Sequence, residues 1–550
     1  MKITPNTSKS LEESLATKIF WCFVITHVLL WSILPELARY TPSYDIIEAV
    51  NWAQQLDWGY DKNPWVIGWL TRLGIDIALG KSFLGYYFLQ QLLVALGFWS
   101  IWQLGKQLFR PAYALIAVLI LEGCTFFSTA VQTNNDNFAL IGFLAFTMYA
   151  FFMALKNKGN IYSLLAGGSL GLAVMSKYSA IIILPWIWLC FFLEKWNTQT
   201  DKNKKTQSLK DNMLMFKELC FTYFKRHQNK NSNWSWYGGV FLFLLLCLPN
   251  LVWLIDHDFV TIRYLLVRQN ITNTAVWMKH LYYSLDFIWR IFLGILPGFL
   301  LLLLFVNFKG KTSSSLQRTQ MTHQSTATRQ FLFCTGLAPL ATIVLLSLLF
   351  GWQLYWEWGV PFIPLLGLVL FTYWQPVLTK KKLQIFIIGI FTLMVLFSSG
   401  YYLIETRFKA GVGSADYPAT EIANTVTQIW REKFHTPLRY VAGSRYVAGF
   451  VAFYAKDNPK IFIEWNPLYS PKIDLQDMKK HGAIFVNDGY FGTKVLPRAE
   501  DFAIADHFPA EVLKAYPTLE ILPIKIFPYH RNQKTHETVK LLIGILPPEK

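Results

Sequence analysis

The chain has 550 residues, 53% hydrophobic, 17% aromatic and only 15% charged. A soluble protein carries about a quarter charged residues, so this make-up excludes an ordinary soluble enzyme. The net charge of +17 would suggest nucleic acid in a soluble chain. Here most of the excess sits in short loops between apolar runs, where it reports membrane topology instead, and no nucleic-acid partner is expected.

Apolar runs recur to about residue 404, most of them near the ~20 residues needed to cross a bilayer. Eleven spans are predicted, at 19–36, 83–104, 112–131, 137–155, 161–176, 178–193, 236–255, 287–306, 331–350, 357–374 and 383–403. The first lacks a small-residue cleavage site and is expected to stay as an anchor. "WVIGWLTRLGIDIALG", residues 65–80, is apolar enough to cross but carries Arg72 and Asp76. It reads as an interfacial helix; if it crossed, every later loop would change sides.

Loops rich in Lys and Arg should face the cytoplasm. With the N-terminus inside, loops 105–111, 156–160, 194–235, 307–330 and 375–382 become the inner ones, and each is basic. The segment 195–235 alone holds nine Lys or Arg against three Asp or Glu. Loop 37–82, the stretches around 132–136 and 177, loops 256–286 and 351–356, and everything after 404 then face outward. Polar groups from separate loops gather on that face, and ionisable groups at membrane depth are costly unless they serve a site.

Beyond residue 404, "PLRYVAG", "KIFIE", "AIFVN", "LEILPIKIF" and "TVKLLIGIL" read as strands alternating with helical patterns. The predicted architecture is a polytopic α-helical membrane domain over 1–404, with a catalytic outer loop 37–82, followed by a soluble α/β domain over 405–550. The six cysteines form no CxxC pair and the histidines no HExxH spacing, so no zinc site is supported. No phosphate-binding glycine loop occurs either.

In the outer loop, Asp45 follows the first span among Trp52, Trp58, Tyr60 and Trp65. A carboxylate at such an interface can act as general base toward an acceptor hydroxyl; the plainer reading is an Asp that starts a helix. Glu48, one turn later, shares its face and can equally be structural. Asp136 closes "TNNDN" as either a helix cap or a group facing the outer cavity. Lys177 is a snorkelling lysine or a cation for a phosphate leaving group. Arg263 and Arg268 fit a phosphate clamp or lipid headgroups.

"YDIIEAVNWAQQLDWGYDKNPWVIGWL" resembles the first outer loop of bacterial members of the dolichyl-phosphate-mannose protein mannosyltransferase superfamily, which include the aminoarabinose transferases of lipid A. "TNNDNFALIGFLAFTMYAFF", "LLAGGSLGLAVMSKYSAIIILP", "YWEWGVPFIPLLGL" and the tail from "YPATEIANTVTQIW" resemble later segments of the same family in the same order. The resemblance implies a GT-C fold and a polyprenyl-phosphate sugar donor, with a glycolipid or glycan acceptor such as lipid A or a lipopolysaccharide core. It also implies a bacterial inner-membrane setting with the site on the periplasmic side. Asp45 falls on the family's catalytic aspartate and Asp136 on its second acidic position. Lys62, Lys177 and Arg268 are implied near the donor phosphate, and Glu48, Tyr60, Tyr178, Arg263, Trp356 and Glu357 become further substrate-binding candidates. Three departures stand out: Ile46 replaces the Glu of a D-E pair, Pro64-Trp65 replaces Pro-Pro, and the metal-binding acid before Lys-Pro is not evident in "YDKNPW". No cofactor is therefore expected with certainty, and a divalent metal stays open. Protein O-glycosylation, transport of a lipid-linked glycan and a membrane-anchored scaffold are the rival readings.

Overall fold

The computed structural model describes residues 5–78, 81–130, 137–157, 161–202, 230–270, 276–306, 326–409, 413–489, 507–531 and 537–549. Among the described residues, seven stretches are long and apolar enough to cross a membrane: Glu13–Ala38, Leu84–Leu108, Asn137–Lys156, Trp234–Asp256, Met278–Phe305, Thr326–Phe350 and Lys380–Phe408. Three more expected spans appear as shorter apolar helices, Ile161–Ser176, Tyr178–Leu193 and Val360–Tyr373. The chain is thus a multi-pass membrane protein.

In chain order, α1 is Pro5–Ala38, α2 Tyr44–Gln54, α3 Trp65–Ile77, α4 Leu84–Leu108, α5 Pro111–Leu119, α6 Asn137–Lys156 and α7 Ile161–Ser176. After these come α8 Leu184–Lys202, α9 Lys230–Asp256, α10 Val260–Asn270 and α11 Val276–Leu300. Helix α3 is the segment read as interfacial. Its 13 residues rise about 20 Å, short of the ~30 Å hydrocarbon core, and Arg72 pairs with Asp76 on its exposed side.

The expected span 112–131 is corrected. Helix α5 stops at Leu119, and irregular turns follow as far as Ala130. The cause lies at Glu122 and Gly123. Glu122 is fully buried, with His27 Nδ1 2.5 Å from Oε2 and Trp31 Nε1 donating to Oε1 at 3.0 Å. Gly298 N of α11 donates to Gly123 O at 2.9 Å, while Gly294 O accepts from Thr125 N at 2.9 Å. The two backbones exchange hydrogen bonds that each helix would otherwise keep to itself. Irregular backbone at membrane depth survives only when buried in protein, and Ile120, Leu121, Cys124 and Phe127 are all buried.

Among the described residues, the C-terminal part carries a six-stranded sheet. β1 Tyr440–Gly443 pairs in parallel with β2 Lys460–Ile463 and β3 Ala483–Asn487. β6 Thr538–Leu546 runs antiparallel to β3, and the short β4 Glu520–Ile521 and β5 Lys525–Pro528 run antiparallel to β6. The run "LEILPIKIF" therefore supplies two strands, broken where Pro523 removes a ladder donor. Helices Ala419–Phe434 and Arg445–Tyr454 cover one face.

That sheet does not hang free. Ile46, Ile47 and Val50 of α2, with Phe83, Tyr86 and Tyr87, share one buried cluster with Ile422, Val426, Trp430, Val447, Phe450 and Val451. Each such side chain contributes about 1.5–3 kcal/mol when buried, so the 37–82 loop and the C-terminal sheet share a single core.

Candidate functional site

Helix α2 has two faces. Ile46, Ile47 and Val50 point into the C-terminal core. Ala49 and Trp52 pack with Tyr60, Ile67 of α3 and Ala139 of α6. Asp45 is four residues before Ala49 and seven before Trp52, a spacing that puts all three on the second face. Asp45 is itself exposed, in the first turn of α2. The N-cap position belongs to Ser43, so Asp45 is no N-cap, although an acid in the first turn still complements the helix dipole.

Glu48 lies one turn further and is buried. Lys62 Nζ donates to its Oε1 at 2.5 Å, and Arg445 Nη1 donates to the same oxygen at 2.8 Å. Arg445 Nη2 donates to Asp61 Oδ2 at 2.6 Å and Arg445 Nε to Glu464 Oε1 at 3.1 Å. Trp52 Nε1 donates to Asp61 Oδ1 at 3.0 Å. Three acids and two cations thus meet where the loop touches the C-terminal sheet.

The electrostatics follow from this packing. Burial by itself would raise the Asp61 carboxyl, but the Arg445 charge and hydrogen bond, with Lys62 and the Trp52 indole, hold it below the usual carboxylate range. Burial and Arg445 both push the Lys62 ammonium down; Glu48, Tyr264 and Asp61 outweigh them and leave it raised. Arg445, buried but faced by Asp61, Glu464 and Glu48, is held well above its ordinary value. Tyr469, whose ring lies 5.4 Å from the guanidinium, is pushed up to about 12 by burial and then by Glu464, and stays neutral.

The rest of the loop is clamped from the membrane side. Thr261 Oγ1 of α10 donates to Tyr60 O, and Asn250 Nδ2 of α9 donates to Trp58 O, both at 2.7 Å. Tyr178 OH donates to Asn250 Oδ1 at 2.7 Å, which ties Tyr178 to the loop through one amide. Lys62 Nζ lies 5.2 Å from the centre of the Tyr264 ring of α10, within cation–π range. The Tyr60 ring stacks on Trp52 at 5.5 Å. A Cβ on Gly59 would sit 2.2 Å from the Trp253 ring, and one on Gly68 2.2 Å from the Tyr60 hydroxyl. Glycine at both positions is what lets these aromatics close on the loop.

The structure brings together Glu48, Tyr60, Lys62 and, through Asn250, Tyr178. Lys177 Nζ donates to Asn137 Oδ1 at 2.9 Å, at the start of α6. Arg263 is an exposed residue of α10. Asp136 and the Arg268 side chain lie outside the described residues, as does most of the basic 195–235 stretch. Trp356 sits elsewhere, stacked on Phe126 at 4.8 Å against the large apolar cluster of the helices, with Glu357 within electrostatic range of Arg290. Two residues outside the expected site set are central: Asp61, the acid that directly precedes Lys62 in "YDKNPW", and Arg445, which no local pattern marks.

A divalent metal does not fit this cluster. Glu48 is already held by Lys62 and Arg445, and Asp61 by Arg445 and Trp52. Among the described residues, no group of three His, Cys, Asp or Glu side chains is spaced to hold an ion.

Residues 62–209 match the dolichyl-phosphate-mannose-protein mannosyltransferase family. The structure of ArnT from Cupriavidus metallidurans bound to undecaprenyl phosphate is similar at 13% identity, covering 96% of this chain and 99% of that one, with a TM-score of 0.55. The apo form of ArnT from the same organism is similar at 13% identity, 98% and 100% coverage, and a TM-score of 0.54. No curated protein sequence matches the chain. An end-to-end likeness at such low identity is a likeness of fold: the chain shares the fold of ArnT over nearly its whole length, and the family match covers its segment 62–209.

Proposed function

We propose that the chain transfers a sugar from a polyprenyl-phosphate donor to lipid A or another lipopolysaccharide glycan at the periplasmic face of the bacterial inner membrane. The observation that carries the reading is the fold, shared over nearly the whole chain with a protein whose structure holds undecaprenyl phosphate. The setting of Asp45 supports it: an exposed carboxylate on the face of α2 turned toward α3 and the start of α6.

In this reading the donor enters sideways from the bilayer. Lys62, Lys177, Arg263 and Arg268 are the cations offered to its phosphate, and fixed positive charge at a departing phosphate lowers the barrier. Asp45 takes the proton of the acceptor hydroxyl, whose oxygen attacks the anomeric carbon with inversion while the lipid phosphate leaves with the bonding pair. A general base of this kind contributes roughly 10²–10⁴-fold. The cleft between the loop and the C-terminal sheet, lined by Trp52, Gln55, Asp57, Tyr60, Tyr469 and Lys472, offers rings and charged groups suited to a glycan acceptor.

The test is mass spectrometry of lipid A and core oligosaccharide from cells with wild-type protein, with Asp45→Asn, and without the protein. A sugar mass lost in both defective strains supports the proposal and names the sugar class. Unchanged glycolipids in all three would remove the glycolipid acceptor and move the search to glycoproteins.

A further inference from the structure

Three carboxylates converge on one guanidinium where the loop meets the C-terminal sheet. Arg445 reaches Glu48, Asp61 and Glu464 at 2.8, 2.6 and 3.1 Å, and the four side chains are only 1–11% exposed. Acids gathered out of water repel one another, so such a cluster exists ionised only around a cation. A set of carboxylate oxygens is what a hard divalent ion would choose, and its contacts of about 2.0–2.6 Å would draw the oxygens together. Here they are splayed instead along the N–H directions of a planar fork, and none of the described acids forms a trio tight enough for an ion.

Arg445 is also fixed through its backbone. Asn51 Nδ2 of α2 donates to Arg445 O at 2.9 Å. One turn on, Gly449 presses against the Asn51 amide, where a Cβ would come within 2.5 Å. The guanidinium is therefore delivered to α2 by a helix locked to it, and Lys62 adds a second charge on Glu48 at 2.5 Å.

We propose that Arg445 is the permanent counter-cation of this cluster, standing where a divalent metal would otherwise sit, and that it thereby fixes Lys62 and α2 for transfer. Only the last clause rests on the transferase reading. Arg445 is a positioning residue, acting through Glu48 and Asp61.

The test uses the full-length protein in detergent, stripped with EDTA, equilibrated with Zn²⁺ or Mn²⁺, desalted and analysed for metal by mass spectrometry. Wild type should retain far less than one equivalent, and Arg445→Lys, which keeps the charge, should behave alike. Arg445→Met frees three carboxylates and should take up about one equivalent, lost again when Glu48→Gln is added. A full equivalent bound by wild type and absent in Glu48→Gln would overturn the proposal, as would an Arg445→Met protein that folds and stays metal-free. Should Arg445→Met not fold, wild type against Glu48→Gln decides alone. Absence of any transfer activity in untreated wild type would sink the transferase reading and leave the metal result standing.

Discussion

Arg445 and Glu48 are 397 positions apart in the chain, yet Nη1 and Oε1 lie 2.8 Å apart. That contact joins the C-terminal sheet to the helix that carries Asp45. It makes the sheet part of the site's framework, and the consequences are measurable.

Removing one member of a buried ion pair strands the other, at a cost of about 3–5 kcal/mol. Arg445→Met should therefore lower the thermal midpoint sharply and loosen the C-terminal sheet from α2. Limited proteolysis between residues 404 and 440 should accelerate in step. An unchanged midpoint would mean that the apolar cluster alone holds the two parts together.

Asp45 is exposed, and its amide isostere keeps the side chain's size, so Asp45→Asn should leave expression and melting within about 0.5 kcal/mol of wild type. Transfer should fall by roughly 10²–10⁴-fold. Unfolding of this variant, read by gel filtration in detergent, would show Asp45 to be structural.

The pH dependence follows from two groups with opposite signs, faced by Glu48, Glu464, Arg445, Tyr264 and Tyr469. Asp61 is held below the usual carboxylate range; its contribution is complete above about pH 4, the unfolded value, and is lost as pH falls through the folded one. Lys62 is raised; its contribution is complete below about pH 10 and is lost as pH rises through its folded value. Melting should be flat at neutral pH and drop on the acid side with a slope that Asp61→Asn removes. An acid limb unaltered in Asp61→Asn would assign that slope to other carboxylates.

A methyl group at Gly59 would enter the Trp253 ring, and one at Gly68 the Tyr60 hydroxyl. Gly59→Ala and Gly68→Ala should each cost about 1–3 kcal/mol through overpacking and impair transfer by shifting the loop. A second change, Trp253→Leu, should recover part of the Gly59→Ala loss. Absence of any recovery would place the strain elsewhere.

Much of the architecture was legible because hydropathy and periodicity are local. Ten of the eleven expected spans correspond to apolar helices, and every strand-like run of the tail enters the sheet. The segment 112–131 reads as a span because Glu122 is its one charged residue. Only the partners of that acid, His27 and Trp31 of α1, and the hydrogen bonds with α11 explain why the helix stops.

The site divides in the same way. Asp45, Glu48, Tyr60 and Lys62 stand within one loop, so their joint placement was readable from a single stretch. Whether Glu48 faces substrate or is spent in an ion cluster was not, since that depends on Arg445 and Glu464 arriving from the far end of the chain. The sequence by itself determined that this protein lives in a membrane, that aromatic and charged groups crowd its first long loop, and that a small sheet follows the last span. Tertiary structure alone decided that this sheet and that loop share one core and one buried set of charges. Apolar burial and ion pairing act across space at a few ångströms, and no spacing along the chain records which distant residues will come that close.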